Sequence, residues 1–209
     1  EFIKPAEIET QSFAIIEAEL RRRNVSCPAN QMPILQRVIH TSADFDYIQN
    51  LTFSENAVEK ALDALRNGAD IITDTNMALS GINKKSLHAL GGEAHCFMSD
   101  PDVAAEAKRR GITRAMVSME KAARLSSDNL IFAIGNAPTA LIQLEQLIRE
   151  HQLAPKLIIG VPVGFVNVVE AKELILQSGV PCIVARGNKG GSNIAAAICN
   201  ALLYQLYRA

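Results

Sequence analysis

Tryptophan is absent, and aromatic residues make up only 5% of the 209-residue sequence. Proteins that bind single-stranded nucleic acid stack bases on such rings, so that class is set aside. No basic excess exists either. The formal net charge is −1, where a general nucleic-acid binder carries a positive surplus. The cysteines Cys27, Cys96, Cys182 and Cys199 form no C-x-x-C pair, which leaves free thiols in a reducing compartment as the simple expectation. No apolar run reaches the roughly 20 residues that span a bilayer. The opening EFIKPAEIET lacks the apolar core of a signal peptide, so a cytoplasmic location and no membrane partner are expected. Neither a G-x-G-x-x-G fingerprint nor a G-x-x-x-x-G-K-[ST] phosphate loop occurs, which argues against a nucleotide- or cofactor-dependent transferase.

What is present is apolar and rhythmic. Hydrophobic residues make up 48% and charged residues 21%, enough for a sizeable core, and the length suits one domain over 1–209. A stripe of Ile8, Ile15, Ile16 and Leu20 predicts a helix over Glu7–Arg23, whose last arginines suit the negative end of its dipole. Pro33–Ile39 has helical spacing and places His40 at or just past its end, on a loop. Asp44–Phe53 alternates enough to predict a strand.

A regular alternation follows. Ser54 can cap a helix to Arg66, with Asn67-Gly68 as its stop. Short strands are predicted at Asp70–Thr73, Ala94–Met98, Asn129–Ile134, Lys156–Ile159 and Cys182–Ala185. Helices are predicted over Pro101–Arg110, Thr113–Leu125, Pro138–His151, Val166–Gln177 and Ser192–Tyr207, and Met77–Leu90 reads as mixed helix and turn broken at Gly81. Short strands alternating with longer helices predict an α/β fold in three layers: a mostly parallel central sheet, Rossmann-like but without a dinucleotide motif, with helices on both faces.

The last three strands each run into a glycine-containing loop: Gly135-Asn136-Ala137-Pro138-Thr139, then the segment from Gly160 to Phe165 with Gly164 inside it, then Arg186-Gly187-Asn188-Lys189-Gly190-Gly191-Ser192. In a parallel sheet these loops share the carboxyl edge, where ligands bind. Helix N-termini there favour anions, and Arg186 and Lys189 add charge. The expectation is a ligand with several carboxylates or phosphates spread over a wide surface.

The segment RVIHTSADFDY, Arg37 to Tyr47, holds His40, one of four histidines. An imidazole titrates near neutrality and can move a proton. Read locally, His40 is either a structural residue at a helix end or a proton-transfer group. Asp44 could orient it or share a metal with it, and Asp46 is a second possible orienting partner. His88, His95 and Cys96 lie close in sequence, but no ligand-pair spacing supports a metal site there. Glu120, Lys121 and Arg124 read as a solvated helix face.

Taken together, Ser12-Phe13-Ala14-Ile15-Ile16, Arg37-Val38-Ile39-His40, Asp74-Thr75-Asn76-Met77, Gly81-Ile82-Asn83, Thr113-Arg114, GNAPTAL, GVPVGFVNVVEAKE and ARGNKGGSNIAAAICNAL resemble the precorrin-8 methylmutase family of cobalamin biosynthesis, from end to end. The resemblance implies an isomerase that moves a methyl group between adjacent carbons of ring C, turning precorrin-8 or its cobalt complex into hydrogenobyrinate or cobyrinate. It implies no cofactor, no metal held by the protein, and a homodimer with substrate near the subunit interface. It makes His40 the general acid, and Ser12, Asn83 and Arg114 substrate contacts. The glycine loops (Gly135, Asn136, Gly160, Gly164, Arg186, Lys189, Gly190, Gly191 and Ser192) would hold the macrocycle's carboxylates, and Met77, Met116 and Met119 could pack on its face. The alternative is a carrier that binds a tetrapyrrole without converting it.

Overall fold

The computed structural model describes residues 5–125 and 128–208. The first four residues of EFIKPAEIET lie outside that range. Helix α1 (Pro5–Arg22) is followed by α2 (Met32–Ser42), the single turn α3 (Tyr47–Asn50) and strand β1 (Leu51–Phe53). Next come α4 (Ala57–Arg66), β2 (Asp70–Thr73), α5 (Asn76–Gly81), α6 (Lys84–Ala89) and the two-residue β3 (Ala94–His95). The remainder is α7 (Pro101–Arg110), α8 (Arg114–Ala122), β4 (Leu130–Ile134), α9 (Pro138–Arg149), β5 (Leu157–Gly160), α10 (Val168–Gln177), β6 (Cys182–Ala185) and α11 (Ser192–Tyr204).

The sheet order is β1-β6-β5-β4-β2-β3. Five strands are parallel, and β1 closes one edge antiparallel to β6. Alternate strand residues face opposite ways, and the burial follows. Ile131, Ala133, Ile159 and Ile183 join a core with α1, α2, α4 and α11. Phe132, Ile134, Ile158 and Val184 join a second core with α8, α9 and α10. Helices therefore cover both faces, as expected for a three-layer α/β fold. The alanines Ala195, Ala196, Ala197 and Ala201, all buried, let α11 lie close against its neighbours. At Gly81 an added Cβ would come within 2.7 Å of the Ala196 Cβ.

Several boundaries differ from those expected. The helix before His40 continues to Ser42, so His40 sits in the last turn of α2 and not on a loop. At its end Ser42 Oγ donates to the Val38 carbonyl and accepts the Asp44 N–H, and Ala43 stops the helix in a left-handed conformation, φ 54°. The segment Asp44–Phe53 is mostly not strand. Asp44 Oδ1 accepts the Asp46 N–H to form a turn, and only the last three residues reach β6. Ser54 does not cap α4. Its Oγ accepts the Cys182 N–H, extending the β1–β6 edge, and Asn56 in a left-handed conformation precedes the helix. Ala94–Met98 pairs through Ala94 and His95 alone.

Candidate functional site

From β2 the chain moves outward to β3, then returns to place β4 on the other side of β2. That reversal makes the crevice beyond the carboxyl ends of β2 and β4 the natural ligand position in such a sheet. Here the chain's own Asp74 fills it. Asp74 follows β2 directly and is fully buried. Its Oδ1 accepts the Gly135 N–H at 2.8 Å, and its Oδ2 accepts those of Asn136 and Ala137 at 2.8 and 2.6 Å. Burial pushes the Asp74 carboxyl above its ordinary range, and the amide bonds hold back part of that rise. The amides of the loop that leads into α9 are thus taken by an internal carboxylate. The expectation that Gly135 and Asn136 offer free N–H groups to a ligand is corrected on this point. Asp74 was visible in the Asp74-Thr75-Asn76-Met77 stretch, but nothing local showed which amides it would meet.

The three glycine loops do meet. An added Cβ on Gly135 would lie 2.6 Å from Ser192 Cα, and one on Gly190 would lie 2.1 Å from the Val161 carbonyl oxygen. Both positions exclude a side chain because backbone stands in the way. Asn188 Nδ2 donates to the Gly164 carbonyl at 2.6 Å, and Gly164 N–H returns a bond to the Asn188 carbonyl. Gly191 N–H donates to Val161, and the Ser192 and Thr75 hydroxyls bond at 2.8 Å. Gly160 is the last residue of β5 and is buried against Val184 and Leu141, away from the loop surface.

Beneath the last loop lies Lys172 of α10. It has no exposed surface, and its Nζ donates to the carbonyls of Gly187 at 2.7 Å and Lys189 at 2.8 Å. Burial draws its pKa down to about 8. The loop's own cation, Lys189, reaches the other way, to Asp44 and Asp46 at 2.6 Å each. These two carboxylates hold Lys189 above the usual lysine range. This bridge joins the glycine edge to the turn that follows α2, and so to His40. It also means that Asp44 and Asp46 serve Lys189, not His40.

The partner of His40 is Ser12 of α1, whose Oγ lies 2.8 Å from His40 Nδ1. Among the described residues His40 Nε2 has no partner. The two residues border a hollow of about 370 Å³ whose remaining lining, including Ile8, Ile15, Ile39 and Phe45, is mainly apolar. Ile8 and Ile15 are more than half exposed. A larger hollow of about 680 Å³ lies at the opposite end of the sheet, lined by Lys60, Asp63, Asn67 and Lys156 among others. It holds none of the residues expected to act, so the smaller one is the better candidate.

The other expected contacts separate into groups. Arg114 opens α8, in the layer opposite α2. It is exposed and makes no ion pair or side-chain hydrogen bond among the described residues, which leaves its guanidinium available to a carboxylate. Neighbouring Thr113 bonds Thr139 of α9, so Arg114 stands at the same sheet edge as the 135–139 loop. Arg186 is paired with Glu173. Asn83 is a structural cap: its Oδ1 accepts the Ser86 N–H and its Nδ2 donates to Tyr204. Met119 is core, whereas Met77 is 70% exposed at the edge and Met116 half-buried. No group of three or more metal-ligating side chains occurs among the described residues.

A histidine held at one ring nitrogen, an apolar hollow and scattered cations along one edge match proton transfer to a broad anionic ligand. Comparison with known proteins identifies the family. The model of the precorrin-8X methylmutase family matches residues 7–205. The cobalt-precorrin-8 methylmutase of Salmonella typhimurium is 47% identical over 210 residues, covering 99% of this chain and 98% of the relative. That of Priestia megaterium is 44% identical over 200 residues, covering 96% and 88%. The precorrin-8X methylmutase of Pseudomonas aeruginosa is 38% identical over 197 residues, covering 93% of each chain. Among solved structures, the precorrin-8X methylmutase from Thermus thermophilus superposes with a TM-score of 0.84 at 36% identity, covering 95% of this chain and 96% of that one. This chain belongs to the precorrin-8X methylmutase family.

Proposed function

We propose that the protein is a corrinoid isomerase that moves a methyl group between adjacent carbons of ring C, turning precorrin-8 or its cobalt complex into hydrogenobyrinate or cobyrinate. The observation that carries this reading, beside family membership, is the pairing of His40 Nδ1 with Ser12 while Nε2 is left without a partner at an apolar hollow. A methyl shift in a conjugated ring needs neither nucleophile nor redox change. It needs electron demand raised at the right moment, which a proton or strong hydrogen bond to a ring nitrogen supplies. His40 is the general acid in this scheme, and such groups contribute about 10²–10⁴-fold. Ser12 fixes its ring, and orientation of the substrate supplies much of the rest.

The carboxylates of the macrocycle meet cations and polar groups on the carboxyl edge. Arg114 is the main candidate, because its guanidinium is exposed and unpaired among the described residues. Lys189, Arg186, Asn136 and Ser192 are secondary, since each already has an internal partner at its side chain or backbone. Exposed Met77 lies against the ring. His40 and Arg114 stand in opposite helical layers, which fits a homodimer whose substrate lies near the subunit interface. The exposed Val163, Phe165 and Val166, beside the glycine loops, are apolar enough to form part of that interface. We place the protein in the cytoplasm, working as one unit without a cofactor. No helix among the described residues is long and apolar enough to cross a membrane.

The relatives at 47% and 44% identity are named for the cobalt form, and this favours cobalt-precorrin-8 as substrate. Incubation with each form, followed by absorbance, tests the reading. Spectral conversion of at least one form is expected. Binding of both forms with no conversion would make the protein a carrier instead.

A further inference from the structure

His40 has a second contact that the reaction scheme leaves unused. Its imidazole lies against the ring of Phe13, with centroids 5.0 Å apart and planes 18° from parallel. The Arg37 guanidinium lies 4.9 Å from the centroid of the same Phe13 ring and 5.0 Å from that of Tyr204. Arg208 covers Tyr204 at 4.9 Å. The Glu9 carboxylate joins Arg37 and Arg208, and Asn83 donates to the Tyr204 hydroxyl. Five planar groups from α1, α2, α11 and the segment after it thus form one run of face contacts, and His40 is its end member.

We propose that Phe13 and Arg37 are positioning residues for His40. A hydrogen bond to Nδ1 fixes one atom of the imidazole and leaves the ring free to pivot about it. A face contact fixes the plane. Ser12 and Phe13 are consecutive on α1 and so lie about 100° apart around the helix, which lets one reach the ring's edge and the other its face. Together they leave Nε2 a single direction. Arg37 acts a step further back. It comes from α2, like His40, and it holds α1 through Phe13 and Glu9, so it keeps both contacts seated. This inference rests on His40 being the proton donor.

The test compares Phe13→Leu, Phe13→Tyr, Arg37→Met and His40→Ala in single-turnover conversion of precorrin-8 or its cobalt complex, whichever the protein converts. Substrate affinity is measured in parallel, and the His40 ring is followed by nitrogen NMR. Phe13→Leu keeps apolar bulk but loses the flat face. It is expected to lower the rate at saturating substrate about tenfold or more, as a misplaced reacting group does, with affinity kept and with the Nδ1 signal losing its hydrogen-bonded position. Phe13→Tyr keeps the face and is expected to restore both. Arg37→Met is expected to follow Phe13→Leu, and it carries the test if Phe13→Leu fails to fold. A wild-type rate and an unchanged His40 signal in Phe13→Leu and Arg37→Met, beside an inactive His40→Ala, would overturn the positioning role and leave the general acid standing. A fully active His40→Ala would remove the general acid itself, and the positioning role would fall with it.

Discussion

Replacing Lys172 with methionine changes how stability depends on pH, and the direction follows from burial. The ammonium is fully enclosed, has two carbonyl partners and, among the described residues, no carboxylate partner. Burial lowers its pKa from 10.5 to about 8. Between those values the unfolded chain holds a proton that the folded chain does not. Stability from this group therefore rises with pH across the window and is at its lowest below pH 8. At 1.36 kcal/mol per pH unit, the full rise is about 3 kcal/mol. Buried Cys182 and Cys199 run the other way, because burial raises their thiols, Cys199 to about 12. They are the same in both proteins and cancel in the comparison. Methionine removes the charge cost and also leaves the Gly187 and Lys189 carbonyls without their donor, at about 1–3 kcal/mol each. Near pH 7 the two effects oppose, so the variant sits close to wild type or somewhat below it. Urea unfolding from about pH 7 to 10.5 should then show wild type pulling ahead by about 3 kcal/mol as the pH rises. Parallel stability curves for the two proteins would refute the reasoning.

Asp74→Ala leaves the Gly135, Asn136 and Ala137 amides, in the loop before α9, without an acceptor. It should destabilise the fold by about 2 kcal/mol, read as a lower urea midpoint, with most of the loss at the buried Gly135 N–H. Lys189→Met breaks an exposed pair of salt bridges to Asp44 and Asp46. Such bridges add little to stability, so the melting temperature should barely move, while turnover slows because the glycine edge is untied from the turn after His40.

Much of the fold was legible because the buried strands are short, apolar and bounded by turn residues. Asp70–Thr73 and Cys182–Ala185 match their strands residue for residue. The helix predicted over Pro101–Arg110 ends where expected, because Gly111 follows it at φ 65°. Failures fell where a non-local partner decides. Ser54 looks like a cap until Cys182, 128 residues away, takes its hydroxyl. Asp44 looks like a partner for His40 until Lys189 arrives from 145 residues on. The segment around His40 left its role open, and only the family resemblance made it the candidate acid; its partners Ser12 and Phe13 are on α1, which reads locally only as an amphipathic helix. Lys172 did leave a trace. It falls on the buried stripe of α10 with Val168, Ala171 and Ile175, where a lysine is out of place unless its ammonium has partners. Asp74 was visible in its stretch but its role was not, since three amides of one distant loop define it.

Conversion of substrate by His40→Ala tests the central claim most directly. Rapid mixing with the precorrin-8 form that wild type converts, followed by absorbance, gives the rate, and a titration of the same variant gives the affinity. The account predicts retained binding with conversion slowed by about 10²–10⁴-fold. Conversion at the wild-type rate would contradict it.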